Sequence, residues 1–145
     1  MTYPYDESYL NDVQKNLGFF FQAALCNLHL PPDKVQQAFV ESDIPAQIEF
    51  GNPDFLCGKS GYELLTIAFG KEQTHLAIEE ALQEPFLPQA EFWSGSILAQ
   101  YQWKSGLLFK NILEKFPLER LLSNYGLMHE ADISKMMELM DEVVR

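Results

Sequence analysis

The chain has 145 residues, of which 47% are apolar and 13% aromatic, and its formal net charge is −11. This length and apolar content suffice to bury a hydrophobic core, which excludes a disordered or low-complexity protein. Phosphate backbones and anionic membranes are bound by clustered lysine and arginine, whereas residues 72–103 contain five acidic residues and no lysine or arginine. The charge argues against nucleic-acid and membrane binding, and it suits either plain solubility or a basic protein partner.

No apolar run approaches the ~20 residues that span a bilayer. Asp6 and Glu7 stand where a signal peptide has basic residues, so we expect a cytoplasmic protein. Cys26 and Cys57 lie in apolar sequence and have no CxxC spacing. They are predicted to be reduced, buried thiols rather than a disulfide or a metal site.

In the N-terminal half, apolar residues recur every three or four positions from Leu10 to Leu28. This spacing predicts a long helix that ends near Leu30, because two prolines follow, and a second helix that begins at Pro32. Residues 42–59 contain several prolines and glycines and predict a structured loop with a helical turn around 46–50. Ser60 and Glu63 match the S-x-x-E capping box and predict a helix over 61–69, followed by another over about 72–82.

The C-terminal half begins with the segment EFWSGSILAQYQWKSG, residues 91–106, which is apolar on nearly every side of a helix. Gly106 suits the left-handed end of that helix, and a short helix is predicted over 107–116. Pro117 starts the next helix, which we expect Gly126 to end. The last helix begins near Ala131.

These patterns predict an all-α fold: a compact bundle of about six to seven helices that cross at mixed angles around a central aromatic helix. Glu84-Pro85 and Pro88 mark the best boundary in the chain. It divides an N-terminal helical module, residues 1–84, from a C-terminal helical module, residues 89–145. Because the linker is short, we expect the modules to share one core.

In the central helix, Gly95 and Ala99 are predicted to let a neighbouring backbone approach closely. The same helix carries side chains that need hydrogen-bond partners if they are buried. The candidate interaction or pocket residues are therefore Trp93, Gln100, Tyr101, Gln102 and Trp103. We expect a core helix with one edge open to a partner.

Methionines cluster near the C-terminus, and Met136 and Met140 share one helical stripe. A methionine-rich stripe can serve as an adaptable binding surface, although core packing is the more common use of this pattern. Both residues are kept as candidate interaction residues.

Three motifs that suggest other chemistry fail on inspection. The sequence CGKSG, residues 57–61, lacks the first glycine of a phosphate-binding loop, since Pro53 stands there. His75 and Glu79 share a helical face, but no further ligands at metal-binding spacing accompany them. A helix-turn-helix over 117–144 would place an acidic second helix against DNA. No catalytic residue, cofactor or metal is predicted.

Three segments, YLNDVQKNLGFFFQAALCNLHL, FLCGKSGYELL and EFWSGSILAQYQWKSGLLFKNI, together resemble an uncharacterised family of small helical proteins of the gut Firmicutes type. That family has G-x-SG-x-EL and YW-x-G-x-x-LA-x-YQW motifs, and the resemblance covers residues 9–144. Two positions depart from it: Phe92 replaces the usual tyrosine, and Gln100 an expected aromatic residue. Family members accompany genes for toxins resembling ADP-ribosyltransferases, which implies an antitoxin or accessory role and carries over no catalytic residue.

The sequence thus favours a non-enzymatic protein-binding module, either antitoxin-like or accessory, that binds another protein or itself. A small-molecule sensor with a pocket near Trp93, Tyr101 and Trp103 is the alternative. An enzyme with an unrecognised site is a remote one.

Overall fold

A computed structural model describes residues 2–145, which contain ten α-helices and no strand. A 3-10 turn, Glu7–Tyr9, precedes them. The helices are α1 Leu10–Cys26, α2 Pro32–Glu41, α3 Ile44–Glu49, α4 Pro53–Leu56, α5 Gly61–Phe69, α6 Lys71–Gln83, α7 Ala90–Ser105, α8 Phe109–Lys115, α9 Leu118–Met128 and α10 Ile133–Val144. The all-α prediction is confirmed. The number of helices exceeds six to seven partly because the expected loop over 42–59 forms the short helices α3 and α4.

The first helix ends earlier than predicted, at Cys26 rather than near Leu30. Leu28 and Leu30 donate their amides to the carbonyls of Ala23 and Ala24, and His29 has a positive φ of 56°. The chain therefore leaves the helix through a local turn before Pro31 can interrupt it.

The start of α5 follows the sequence closely. Ser60 Oγ accepts a hydrogen bond from the Glu63 amide, and Glu63 Oε1 accepts one from the Ser60 amide, each at 3.2 Å. The CGKSG segment is therefore the start of α5. Its Lys59 pairs with Asp54 at 2.9 Å.

At the end of α7, Gly106 adopts the left-handed conformation with φ 71°. The prediction that Gly126 ends α9 was wrong, because Gly126 lies inside the helix, which continues to Met128. The amide of His129 donates to the carbonyl of Tyr125 and completes the last turn. Gly126 has no positive φ, so nothing in its backbone stops the helix.

The most extensive helix contact joins α1 and α7, and it depends on glycine. A Cβ on Gly95 would overlap the carbonyl of Leu17 and lie 2.8 Å from the amide nitrogen of Gly18. On α5, a Cβ on Gly61 would lie 2.5 Å from the carbonyl oxygen of Asn16. Both α5 and α7 therefore approach the backbone of α1 within one turn of the same place, as only glycine permits.

Side chains from the first half of the chain cap helices of the second half. Gln36 donates through Nε2 to the Leu113 carbonyl at 3.3 Å and accepts through Oε1 from the Leu118 amide at 2.8 Å. Glu49 Oε2 accepts from the Phe109 amide at 2.7 Å. Each bond satisfies a group that the end of a helix leaves without a partner. These contacts fix α8 and α9 against α2 and α3.

The buried apolar side chains form one cluster that includes residues from both sides of the linker. Phe20, Phe21, Phe39 and Phe109 pack within it with ring centroids 5.1–5.6 Å apart. In the part of the chain that the structure describes, no helix has the length and apolar character needed to cross a membrane.

Replacing Gly95 with alanine tests the contact between α1 and α7. We expect Gly95→Ala to lower the free energy of unfolding by about 1–3 kcal/mol, because the added methyl group forces the two backbones apart. The control is Gly126→Ala on α9, where a Cβ would meet nothing within 4 Å. That variant should gain ~0.5–1 kcal/mol from helix propensity. Urea denaturation of both variants gives the comparison, and equal effects would contradict the packing.

Candidate functional site

Most of the polar side chains of α7 find partners within the chain. Gln100 Oε1 accepts from Gln14 Nε2 on α1 at 3.0 Å, and the same nitrogen lies 3.2 Å from Ser96 Oγ. Gln102 Nε2 donates to the Leu107 carbonyl at 3.0 Å. Its Oε1 is buried and has no hydrogen-bond partner among residues 2–145. The two glutamines thus hold α7 to α1 and to the turn after α7, and neither forms an open edge.

Trp103 is covered by the N-terminal segment. Its indole N–H donates to the carbonyl of Tyr5 at 2.8 Å, and its ring stacks on Tyr3 with centroids 4.0 Å apart and planes 7° apart. This side of α7 therefore contacts Tyr3 and Tyr5 of the segment that precedes α1.

Tyr101 is 2% exposed and links α7 to the last helix. Its hydroxyl donates to Asp141 Oδ1 at 2.8 Å, and Arg145 Nε donates to the same oxygen at 2.7 Å. Burial and the hydrogen bond to Asp141 raise the pKa of Tyr101 to about 12. The bonds from Tyr101 and Arg145 lower the pKa of Asp141. The three side chains fix α10 onto α7.

The candidate methionines lie inside the core. Met136 is 1% exposed and Met140 is fully buried, so neither offers a surface to a partner. Their stripe is the face with which α10 packs on the bundle. Ala99, beside the Gly95 crossing, is also fully buried.

Trp93 is the candidate on α7 that retains an open edge. It is half-buried, and its indole N–H makes no hydrogen bond within the described residues. It lines a surface groove of about 270 Å³ with Phe92, Tyr125, His129 and Pro88, which we call the Trp93 groove. The remaining lining residues are Gln89 and Ser96.

The walls of the Trp93 groove are held by ring contacts. The Trp93 and Tyr125 rings meet edge to face, with centroids 5.6 Å apart and planes at 72°. His129 stacks on Tyr125 at 4.2 Å, and its Nδ1 lies 2.6 Å from the Tyr125 carbonyl oxygen. These contacts fix the rings of Trp93, Tyr125 and His129 relative to one another. Sequence reasoning missed Tyr125 and His129, although their spacing of four, from the last turn of α9 to the residue that follows it, places them on one face.

The groove lining contains no lysine or arginine. Glu91 and Glu130 stand next to lining residues in the sequence, and Glu130 Oε1 lies 3.7 Å from His129 Nε2. Aromatic ring faces carry partial negative charge and attract cations within about 6 Å of their centres. The groove can therefore receive a flat apolar side chain or a cationic one, arginine above all.

The aromatic surface continues from Phe92 towards the linker. Phe86, which is 51% exposed, packs against Phe92 and Phe19 with centroids 5.2 and 4.9 Å away. Phe19 also meets Tyr62 at 5.5 Å. These contacts fix the linker on α1 and α7, so the Trp93 groove has an aromatic surface beside it.

Both cysteines are exposed, so the prediction that they are buried was wrong. Cys26 ends α1, and its Sγ lies 3.4 Å from Glu91 Oε1. Partial desolvation of the thiol and the charge of Glu91 raise the pKa of Cys26 to about 12, which keeps it protonated near neutral pH. Within residues 2–145, no group of three His, Cys, Asp or Glu side chains is arranged to hold a metal ion. His75 pairs with Glu79 at 3.4 Å on an exposed helix face.

Trp93, Tyr101 and Trp103 thus lie in three different surroundings and do not share one pocket. Comparison with protein-family models, curated proteins and solved structures finds no match to the chain. The interpretation of the site therefore depends on its geometry.

Substituting Tyr101 tests the link between α7 and α10. We expect Tyr101→Phe to lower the free energy of unfolding by about 1 kcal/mol, because it removes a buried hydrogen bond to a carboxylate. The raised pKa adds a pH dependence. An unfolded tyrosine ionises near pH ~10, so the stabilisation by neutral Tyr101 is complete below that pH and is lost as pH rises towards 12.

The phenylalanine variant lacks this ionisation, so the stability difference between the two proteins should shrink from pH 9 to 11. Urea titrations of both proteins across that range measure it. A constant difference would contradict the assigned hydrogen bond.

Proposed function

We propose that the chain is a non-enzymatic, cytoplasmic protein-binding module that receives a side chain of its partner in the Trp93 groove. One observation carries this proposal: Trp93 has an open edge and an unused N–H donor, whereas Gln100 and Trp103 are occupied within the chain. Aromatic residues at the surface are characteristic of interface centres.

The charge of the chain favours a basic partner. The net charge is −11, and the lining of the Trp93 groove contains no lysine or arginine. An arginine of a partner can stack on Tyr125 or Trp93. Complementary charge also speeds the encounter of the two proteins.

The resemblance to proteins that accompany toxins resembling ADP-ribosyltransferases suggests what the partner is. Under this proposal the chain is an antitoxin or accessory protein that holds such a toxin. Self-association is the other outcome that an exposed aromatic groove allows.

A small-molecule ligand is the alternative occupant. Pockets for such ligands usually enclose ~300–1,000 Å³ and bury most of the ligand. The Trp93 groove has about 270 Å³ and is open to solvent, which favours a side chain of a protein over a free metabolite.

Affinity purification at native abundance tests the proposal, with Gln89→Arg as the variant. Gln89 is exposed and lines the groove, so an arginine there fills the groove and repels a basic partner without disturbing the core. The matched control is Gln83→Arg, which makes the same change of charge at the exposed end of α6. We expect the wild type and the control to recover one partner and Gln89→Arg to lose it.

Recovery of the chain alone with all three proteins would contradict the proposal. Equal recovery of the partner by Gln89→Arg would move the interface away from the Trp93 groove. Tryptophan fluorescence against a panel of metabolites separates the alternative, since a ligand in this groove would change the emission of Trp93.

A further inference from the structure

A larger groove lies elsewhere, between α2 and α8, and has a volume of about 460 Å³. Its apolar floor includes Val40 and Pro117, which are half-buried, whereas Leu113, which also lines the groove, is only 1% exposed. We call it the α2–α8 groove. It shares no lining residue with the Trp93 groove, so the two surfaces can be tested separately.

The floor of the α2–α8 groove is fixed by Gln36. This side chain bonds to the carbonyl of Leu113 and to the amide of Leu118, so one amide group joins α2 to the end of α8 and the start of α9. These bonds fix the relative positions of the three helices that line the groove.

The rim of the groove is strongly acidic. Four carboxylates line it, those of Asp33, Glu41, Glu114 and Glu119, against one cation, Lys110. Four negative charges and one positive charge give the lining a net charge of −3. Neither Lys110 nor any of these carboxylates forms a salt bridge with another side chain in residues 2–145. The rim thus holds several carboxylates that the chain itself leaves without a cation.

An apolar floor between unpaired carboxylates complements an amphipathic cation. A bare metal or small ammonium ion would leave Val40 and Pro117 in water. A second copy of this chain would bring another surplus of negative charge to the same rim, since the whole chain carries −11. Lysine and arginine combine an apolar stem with a charged end and fit both parts of the groove.

We propose that the α2–α8 groove docks a basic, amphipathic segment of another protein. Apolar side chains of the segment lie on Val40 and Pro117, and its lysines or arginines pair with the four carboxylates. This surface goes beyond the Trp93 groove and assigns the negative charge of the chain a defined place of contact.

The test uses the full chain and a fluorescein-labelled synthetic peptide of fourteen residues in which lysine pairs alternate with leucine pairs. Fluorescence anisotropy measures its affinity at about 0.15 M salt, where attraction between exposed charges more than about 8 Å apart is largely screened. Glu41→Lys/Glu114→Lys reverses two exposed rim charges. Glu72→Lys/Glu142→Lys makes the same change in net charge at exposed positions outside the groove.

We expect the rim variant to weaken binding at least tenfold and the control to change it less than threefold. Asp33→Asn/Glu119→Gln, which removes charge without reversing it, should weaken binding at least threefold and guards against misfolding of the first variant. A peptide with serine in place of leucine should bind more weakly to the wild type, because it cannot use the apolar floor.

Absence of binding to the wild type, or equal weakening by the rim and control variants, would overturn the proposal. Gln89→Arg should bind the peptide as the wild type does. If that variant loses its cellular partner and keeps the peptide, the Trp93 groove and the α2–α8 groove act as separate surfaces. If it loses the peptide as well, the docking site proposed here is wrong.

Discussion

The close contact of Gly95 with the backbone of α1 at Leu17 and Gly18 is the constraint from which the arrangement of the bundle follows. With no side chain between them, α1 and α7 lie close enough for the larger side chains of α7 to extend outward on both sides. Tyr101 reaches α10, Trp103 reaches the N-terminal segment, and Trp93 reaches α9. The Trp93 groove is thus a consequence of how closely two helices can approach.

A second set of contacts places the shorter helices. Gln36 and Glu49 bond to backbone groups of α8 and α9 that lie 60 or more residues away in the chain. These bonds satisfy helix ends, and those of Gln36 also fix the helices that line the α2–α8 groove. Both proposed binding surfaces therefore lie beside contacts between the two sides of the linker. The polar side chains at these contacts form hydrogen bonds within the chain.

How far the sequence predicts this structure depends on the range of each interaction. Ser60 and Glu63 bond within one turn, so their capping box and the bounds of α5 can be read directly. A glycine in an apolar helix indicates a close approach, as at Gly95, but it does not identify the partner helix. Gly126 misled the prediction for the same reason. Glycine permits a helix to end, but the surroundings of the residue determine whether the helix ends there.

The candidate site shows the same limit. The helical periodicity of α7 identifies which side chains need hydrogen-bond partners. It cannot identify the partner of Trp103, because the carbonyl of Tyr5 is 98 residues away in the chain. Cys26 seemed buried because its neighbours are apolar, whereas it stands at the last exposed turn of α1 beside Glu91. The Trp93 groove depends on Tyr125 and His129, which contact α7 only through the tertiary structure. Periodicity could show that an edge exists but not which residues complete it.

Native-state hydrogen exchange of the full chain tests most directly whether the contact of α1 with α7 unites the molecule. If it does, the central amides of both helices exchange only by global unfolding, with a shared free energy that is the highest in the protein. The exposed end of α6 and the last turn of α9 should exchange faster. If residues 1–84 and 89–145 instead open with separate free energies, the glycine contact does not hold the two halves as one cooperative unit.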